Sequence, residues 1–148
     1  MSAMEILTTR FGSVQIEPND IICFPNGMIG LDACRQWVLL ADAHNDAIGW
    51  LQSTTQPEVA LAVVSPRRFV PDYQVRTARG EIAPLALEPL QNAHVLAIVS
   101  KNEQSVTLNL KAPLLINLER RVGRQVINNG DQPLQYEVCE PSNRKKIA

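Results

Sequence analysis

The sequence predicts an all-β protein whose short antiparallel strands form a single compact barrel-like or sandwich domain with one or two helical turns. Short apolar or alternating runs recur along the chain, and glycine, proline and asparagine separate them, which is typical of such folds. No segment has a long helical period. With 148 residues, of which 45% are hydrophobic, the chain is large enough to bury one core.

The first part of the chain predicts a hairpin followed by a strand and a sharp turn. Residues 6–16 read as two short strands around Gly12 and Ser13, which suit a hairpin turn. Residues 21–24 form a compact apolar run, and the Pro-Asn-Gly sequence at 25–27 ends it. We therefore expect three strands before the first long loop.

The middle of the chain predicts a series of strands with one irregular stretch. Strands are expected at residues 37–40 and 59–64, and the second is apolar on both faces, as a central strand is. The irregular stretch 67–73 contains a proline and suits a single helical or 3₁₀ turn. A helical turn or a loop is expected at residues 88–93. Further strands are expected at residues 85–87, 94–100 and 105–110.

Residues 106–117 predict a strand that breaks at a proline and then resumes. Apolar and polar residues alternate before the break, as in a half-buried strand. Pro113 has no N–H to donate to a sheet, so it requires a kink, a bulge or an edge. Asn109 and Asn117 flank the break, and a buried amide is costly unless it is hydrogen-bonded. We therefore expect a defined backbone arrangement here.

The end of the chain predicts two strands and a tail. Strands are expected at residues 125–127 and 134–138, and the Asn129–Gly130 pair between them is the strongest hairpin signal in the sequence. The β domain is expected to cover residues 1–140. Residues 141–148 are expected to form a flexible basic tail.

The cysteines and the absence of long apolar runs predict a cytoplasmic protein. No apolar stretch approaches the roughly 18 residues of a membrane span, and the N-terminus lacks a signal-peptide pattern. The three cysteines are an odd number without a Cys-x-x-Cys spacing, which favours reduced thiols. Cys34 lies between charged residues and is the predicted accessible thiol, whereas Cys23 lies in an apolar strand and is expected to be inert.

The sequence contains no recognisable catalytic or metal-binding group of residues. The only histidines are His44 and His94, and neither belongs to a metal-binding spacing. No serine lies in a Gly-x-Ser-x-Gly turn, and no phosphate-binding loop is present. We predict that the protein is not an enzyme and needs no cofactor or metal.

Four segments carry motifs that occur in a fixed order along the chain. They are a Phe-Pro-x-Gly-x-x-Gly turn at 24–31, a Leu-Gln-Ser strand at 50–53, a Pro-Asp-Tyr element at 69–73, and the proline-broken segment 109–117 with residues 123–127 after it. Their sequence and order resemble the FliW family of bacterial flagellar assembly factors, and the last segment resembles the family signature. Leu31 stands where the family turn motif usually has an aromatic residue. The resemblance spans roughly residues 5–138.

The resemblance implies a mostly β, barrel-like domain that acts by binding other proteins. Members of the family antagonise CsrA, a small basic dimer that represses translation of flagellin mRNA, and do so away from its RNA-binding surface. They also bind flagellin in a chaperone-like way, so unexported flagellin occupies FliW and frees CsrA to repress. This chain is expected to bind CsrA and flagellin, to be a monomer when free, and not to contact nucleic acid or membrane directly.

The resemblance directs attention to the edge around the broken strand as the partner surface. The Ala112–Pro113 break is expected to leave an edge or bulge accessible to a partner's extended segment. An alternative is that these motif residues maintain the fold and that the acidic loops bind the partner. The residues predicted at the edge are Asn109, Lys111, Pro113, Asn117, Arg121 and Gln125. The acidic residues of the alternative are Glu17, Asp20, Asp32, Asp42 and Asp46.

A second function, direct binding of single-stranded RNA, also remains open. Small β-barrels bind single strands through arginine side chains combined with exposed aromatic rings. The net charge of −1 argues against such binding, because contacts to phosphate dominate its affinity. The residues concerned are Arg67, Arg68, Phe69, Tyr73, Arg76 and Arg79.

Overall fold

The structure, a computed structural model, describes residues 3–85 and 93–139, and these form mainly strands. The strands are β1 (Met4–Thr8), β2 (Gly12–Ile16), β3 (Ile21–Cys23), β4 (Gln36–Ala41), β5 (Ile48–Ser53), β6 (Ala60–Val64), β7 (His94–Lys101), β8 (Val106–Leu108), β9 (Leu114–Asn117), β10 (Val122–Gln125) and β11 (Tyr136–Cys139). The helical segments are α1 (Arg79–Ile82) and 3₁₀ turns at Pro18–Asp20, Pro66–Arg68 and Ala83–Leu85. No helix in these two ranges is long and apolar enough to cross a bilayer.

Seven of the strands close into a barrel. Their order is β7-β6-β5-β4-β3-β10-β9, and β9 pairs with β7 to complete the ring. Neighbouring strands are antiparallel except β3 and β10, which run parallel and pair at Cys23 and Val122. β8 pairs with the end of β7, and β11 extends the sheet from β8. The all-β prediction is confirmed, and the barrel is the form it takes.

Large apolar side chains fill the barrel. The indole N–H of Trp37 donates to the Cys34 carbonyl at 3.1 Å, so its polar atom is satisfied inside the core. Gly123 faces the ring of Phe24, and a Cβ at Gly123 would lie 2.6 Å from a ring carbon. This close approach requires glycine. The largest members of the main core are Trp37, Phe24, Ile22, Leu51, Leu114 and Ile116.

The β1–β2 hairpin packs on the outside of the barrel. Ile6 and Ile16 are buried against Val38, whose side chain points away from the interior because Trp37 beside it fills that interior. The predicted N-terminal hairpin is confirmed. Gly12 and Ser13, where the turn was expected, are already part of β2, and residues 9–11 form the turn between the two strands.

The hairpin predicted at Asn129–Gly130 is wrong. β10, before this pair, is bonded to β9 and β3, whereas β11, after it, is bonded to β8. β8 and β9 both pair with the same edge of β7. The chain therefore runs from β10, beside β9, to β11, beside β8, and it leaves the sheet on the way. Gly130 does adopt a positive φ of 107°, but long-range pairing decides where the flanking strands lie.

Two smaller predictions are also corrected. Leu85 ends a 3₁₀ turn after α1 and does not begin a strand. Cys34 is buried in the main core, whereas Cys23 is partly exposed, the reverse of the prediction. The charged residues beside Cys34 in the sequence point outward and do not expose the thiol.

Several predictions lie largely or wholly outside the described residues. They concern the rest of the strand at 85–87, the turn or loop at 88–93, and the tail at 141–148. The domain boundary at residue 140 therefore stays a prediction.

Candidate partner-binding surface

The proline-broken strand lies along one edge of β7. β8 pairs with residues 99–101 of β7, and β9 pairs with residues 94–96 of the same strand. Residues 109–113 leave the sheet between these two ladders. The predicted strand, break and resumption are confirmed.

The side chain of Asn109 holds the backbone at the start of the break. Its Oδ1 accepts hydrogen bonds from the backbone N–H groups of Lys111 at 3.1 Å and Ala112 at 2.9 Å. Behind the break, the Tyr73 hydroxyl donates to the Leu110 carbonyl at 2.6 Å. A short amide that bonds to the backbone two and three residues on holds a turn in place.

The break does not leave the free edge that the sequence led us to expect. The Ala112 carbonyl accepts a hydrogen bond from Gln125 Nε2 at 3.1 Å. The Pro113 carbonyl accepts one from the Val126 N–H, also at 3.1 Å, and Pro113 itself is buried. The chain that continues from β10 therefore occupies the edge on which a partner strand was expected.

Gln125 links the break to the glycine-rich turn after β3. While its Nε2 donates to Ala112, its Oε1 accepts a hydrogen bond from the Ile29 N–H at 2.8 Å. One half-buried side chain thus couples the 24–31 segment to the 109–117 segment. Both ends of the amide are used inside the protein.

Asn117 is buried and holds the end of β9. Its Nδ2 donates to the Leu85 carbonyl at 2.9 Å, and its Oδ1 accepts from the Arg120 N–H at 3.2 Å. These bonds connect the helical segment 79–85 to the turn between β9 and β10. A buried amide with both partners satisfied stabilises the fold, and its loss would leave those partners unpaired.

Arg121 and Lys111 are also engaged in bonds within the chain. Arg121 has a φ of 56°, its guanidinium donates to the Asn19 carbonyl, and its own carbonyl accepts from the Cys23 N–H at 2.9 Å. Lys111 Nζ donates to the Gly130 carbonyl at 3.0 Å. Both side chains are partly exposed, so their charges can still face a partner.

The six residues predicted at the partner surface form two groups. Asn109, Lys111, Pro113 and Gln125 surround the break, whereas Asn117 and Arg121 lie at the other end of the β9–β10 ladder, where Asn117 pairs with Val122. Pro113 and Asn117 are buried and cannot present side chains to a partner in this conformation. Most of the polar groups in the set bind other parts of the chain, so these residues shape the backbone of this region.

Sequence reasoning missed two exposed isoleucines beside Gln125. Ile29 is 69% exposed and Ile127 is 46% exposed. The Ile29 N–H bonds to Gln125, and Ile127 follows Gln125 by two residues in extended chain, so both residues lie on the outer side of this segment. Val126, between Gln125 and Ile127 in the sequence, is buried. An isoleucine in a turn rich in glycine and asparagine was the available signal. We call Ile29 and Ile127 the isoleucine pair.

The acidic residues of the alternative surface belong to different local structures. Asp20 and Glu17 form one group, because Asp20 Oδ2 accepts from the Glu17 N–H at 2.8 Å. Asp42 belongs to the β4–β5 loop, where it accepts from Trp50 Nε1 at 2.9 Å and from the His44 N–H at 3.0 Å. The bond from Trp50, followed by that from His44, lowers the pKa of Asp42. Asp42 therefore has a structural task in its loop.

One of the two aromatic rings predicted at the RNA-binding surface is buried. Tyr73 is buried, where its hydroxyl donates to Leu110 and accepts from Asn128 Nδ2 at 3.1 Å. Burial raises the pKa of Tyr73, and the bond from Asn128 partly opposes this rise. Phe69 is 39% exposed. Only Phe69 is available for stacking on a base in this conformation.

The two histidines are exposed, and the backbone N–H of His44 bonds to the Asp42 carboxylate. His44 lies in the β4–β5 loop and His94 begins β7. Within residues 3–85 and 93–139, no three histidine, cysteine, aspartate or glutamate side chains approach closely enough to hold a metal ion.

Comparison with known proteins identifies the family of the chain. The sequence profile described as "FliW protein" matches residues 5–138. The flagellar assembly factor FliW of Natranaerobius thermophilus is 34% identical over 141 residues, covering 93% of this chain and 91% of that protein. The corresponding protein of Bdellovibrio bacteriovorus is 35% identical over 126 residues, covering 84% and 72%.

A solved structure agrees with the sequence comparisons. The crystal structure of the flagellar assembly factor FliW superimposes with a TM-score of 0.83 at 27% identity, over 90% of this chain and 96% of that one. The resemblance seen in the sequence motifs is therefore confirmed over nearly the whole chain, and the protein belongs to the FliW family.

Proposed function

We propose that this protein is a cytoplasmic flagellar assembly factor that binds CsrA and flagellin and couples flagellin translation to flagellin export. It acts by non-catalytic binding, needs no cofactor and is a monomer when free. The observation that carries the proposal is the isoleucine pair beside Gln125. Ile29 belongs to the turn motif at 24–31, and Ile127 belongs to residues 123–127, which follow the signature segment. Exposed apolar side chains on a rigid backbone are typical of sites that bind other proteins.

The six predicted residues contribute to this surface in two ways. Gln125 bonds to the Ile29 N–H, and the Lys111 carbonyl accepts from the N–H of Asn128, next to Ile127. Both residues are half-buried, so they can contact a partner directly. Asn109 and Pro113 belong to the break beside the pair, whereas Asn117 and Arg121 hold the other end of the β9–β10 ladder. Preorganisation of this kind raises affinity because less conformational entropy is lost on binding.

The proposed regulation needs only competition between two partners. Flagellin that occupies the protein lowers the concentration available to CsrA, so CsrA represses flagellin synthesis. When flagellin is exported, the protein is released and binds CsrA, and synthesis resumes. Mass action is sufficient, because binding of one partner reduces the population free to bind the other.

Isothermal titration tests the proposal directly. The protein is titrated with CsrA and with flagellin from the same genome, first separately and then in competition. We expect binding to both, with flagellin displacing CsrA. Binding to neither partner would contradict the proposed function. Binding to flagellin without CsrA would remove the translational part and leave an assembly factor.

A matched pair of variants locates the surface in the same experiment. Ile29→Ser removes one member of the isoleucine pair, whereas Leu7→Ser changes an equally exposed residue on β1. We expect Ile29→Ser to weaken binding of a partner by about tenfold, and Leu7→Ser to leave it unchanged. Equal effects of the two variants would place the binding surface elsewhere.

A further inference from the structure

A groove with an unpaired strand edge lies on another side of the barrel. The groove has a volume of about 330 Å³ and runs between β2, the middle of β4 and the turn after β9. Its apolar walls include Ile16, Leu39, Leu40 and Leu118. Leu39 is 41% exposed, so part of its side chain is open to a ligand in the groove.

The floor of the groove is the part of β4 that extends beyond β3. β3 pairs with β4 only as far as the Ile21–Val38 pair, whereas β5 follows β4 to the Ala41–Gly49 pair. Residues 39–41 therefore have a neighbouring strand on one side only. Within the described ranges no other strand pairs with this edge.

Backbone groups of Leu39 and Ala41 face the unpaired edge. The Gln36 carbonyl accepts from the Thr54 N–H on the β5 side of β4. Successive residues of a strand direct their N–H and C=O groups to opposite edges, so residues 39 and 41 direct theirs away from β5. These are the groups that a further strand would bond.

The 3₁₀ turn at Pro18–Asp20 prevents β3 from filling this edge. The Asp20 N–H, which would meet the Leu39 carbonyl if β3 were longer, donates to the Glu17 carbonyl at 2.8 Å. Pro18, two residues earlier, has no N–H to offer Ala41. The chain thus turns away at the point where pairing with β4 would continue.

The rim of the groove is acidic. Asp20 lines it directly, Glu17 is bonded to Asp20, and Glu5 accepts a hydrogen bond from Gln15 of the groove wall at 3.2 Å. Of the lining residues that the structure describes, Arg121 is the basic one, and its guanidinium donates to the Asn19 carbonyl. Three carboxylates and one engaged guanidinium favour a ligand with positive charge.

We propose that this groove binds an extended polypeptide segment of a partner protein, one that alternates apolar and basic residues, by adding it as a strand to the free edge of β4. Backbone hydrogen bonds to residues 39 and 41 supply affinity, and the apolar walls and acidic rim select the side chains. The inference deepens the proposed function, since it rests on the chain being a protein-binding factor. It adds a second surface, distinct from the isoleucine pair.

Backbone amide exchange of the full chain, followed by NMR, tests the proposal. The probe is a capped heptapeptide of alternating valine and lysine, and the control is the same peptide with glutamate in place of lysine. We expect the valine–lysine peptide to slow exchange of the Ala41 amide about tenfold or more at saturation, and the glutamate peptide to have little effect. No slowing by the first peptide, or equal slowing by both, would overturn the proposal.

A matched pair of variants tests the contribution of the apolar wall. Leu39→Lys places a charge in the groove, whereas Leu7→Lys places the same charge on β1, where the residue is also exposed. We expect Leu39→Lys to weaken binding of the valine–lysine peptide at least about tenfold and Leu7→Lys to change it less than about twofold. Similar effects of both variants would contradict binding in the groove.

Amide exchange of the protein without peptide tests whether the chain itself or a second copy fills the groove. If the Ala41 amide is strongly protected without peptide at every protein concentration, the chain fills its own groove. If that protection fades on dilution, a second copy fills it. Either result overturns a partner segment as the occupant.

Failure of this inference can be told apart from failure of the proposed function. If CsrA and flagellin bind the chain but neither protects Ala41 nor responds to Leu39→Lys, the groove proposal fails and the proposed function stands. If the peptide protects Ala41 but neither protein binds, the groove stands and the proposed function fails.

Discussion

Backbone groups outside a regular strand ladder are treated differently at the break between β8 and β9 and at the free edge of β4. At the break, the carbonyls of Ala112 and Pro113 are bonded to Gln125 and Val126. At the end of β3 the chain turns away, and within residues 3–85 and 93–139 no strand pairs with residues 39–41 of β4 on that side. Polar residues of the family signature therefore bond to the fold itself, and we propose that partners bind where apolar side chains and backbone edges are exposed.

The largest expected effect separates the buried core from the exposed apolar residues. Leu114→Ala should lower the free energy of unfolding by about 2–5 kcal/mol, because Leu114 is fully buried in the main core. Leu134→Ala, at a position that is 62% exposed, should change it by less than about 0.5 kcal/mol. Urea unfolding of both variants measures the difference. Comparable losses would show that the exposed leucine is part of the packing.

Asn117→Ala should destabilise the protein by about 1–3 kcal/mol, because it leaves the Leu85 carbonyl and the Arg120 N–H without their partner. Asn129→Ala, at an exposed position, serves as the control in the same urea experiment. A variant at Asn117 that remains as stable as the wild type would show that this side chain is free to serve a partner.

Tyr73→Phe should cost about 0.5–1.5 kcal/mol at neutral pH, through loss of the hydroxyl that bonds Leu110 and Asn128. Burial raises the pKa of Tyr73 in the folded protein, so the unfolded chain loses this proton at lower pH. The contribution of this group to stability is thus complete below pH of about 10 and is lost as the pH rises further. Urea unfolding between pH 8 and 11 should show a shallower alkaline decline for Tyr73→Phe than for the wild type. Parallel curves would mean that another group causes the decline.

The smallest effect on stability is expected for Ile127→Ser, with a change of less than about 0.5 kcal/mol, because the side chain is largely in solvent. The same change should weaken binding of flagellin or CsrA about tenfold, since it removes an apolar contact at the proposed surface. Titration calorimetry and urea unfolding of the same preparation separate the two effects. A large loss of stability with normal binding would assign Ile127 to the fold.

Local patterns in the sequence were sufficient to predict most strands and the broken one. The alternation before Asn109 and the missing N–H of Pro113 act within a few residues, so they could be interpreted without knowledge of the fold. The bonded state of Asn109 and Asn117 also followed, because a buried amide must find partners. Which partners these are did not follow, since Asn117 bonds to Leu85, 32 residues away.

The remaining features depend on long-range pairing. Asn129–Gly130 has the composition of a hairpin turn, but β10, before it, pairs with β9, and β11, after it, pairs with β8. Gln125 bonds to Ile29, which is 96 residues away in the sequence, and no local pattern predicts such a contact. The exposed edge of β4 likewise appears only when the lengths of β3 and β5 are compared along the same strand.

The most direct test of the account measures flagellin binding and unfolding free energy for two variants side by side, Asn117→Ala and Ile127→Ser. We expect Asn117→Ala to lose stability while its folded molecules bind flagellin normally, and Ile127→Ser to keep its stability and bind flagellin weakly. The opposite pattern, with weak binding by folded Asn117→Ala and normal binding by Ile127→Ser, would contradict the claim that the polar signature builds the surface and the isoleucine pair makes the contact.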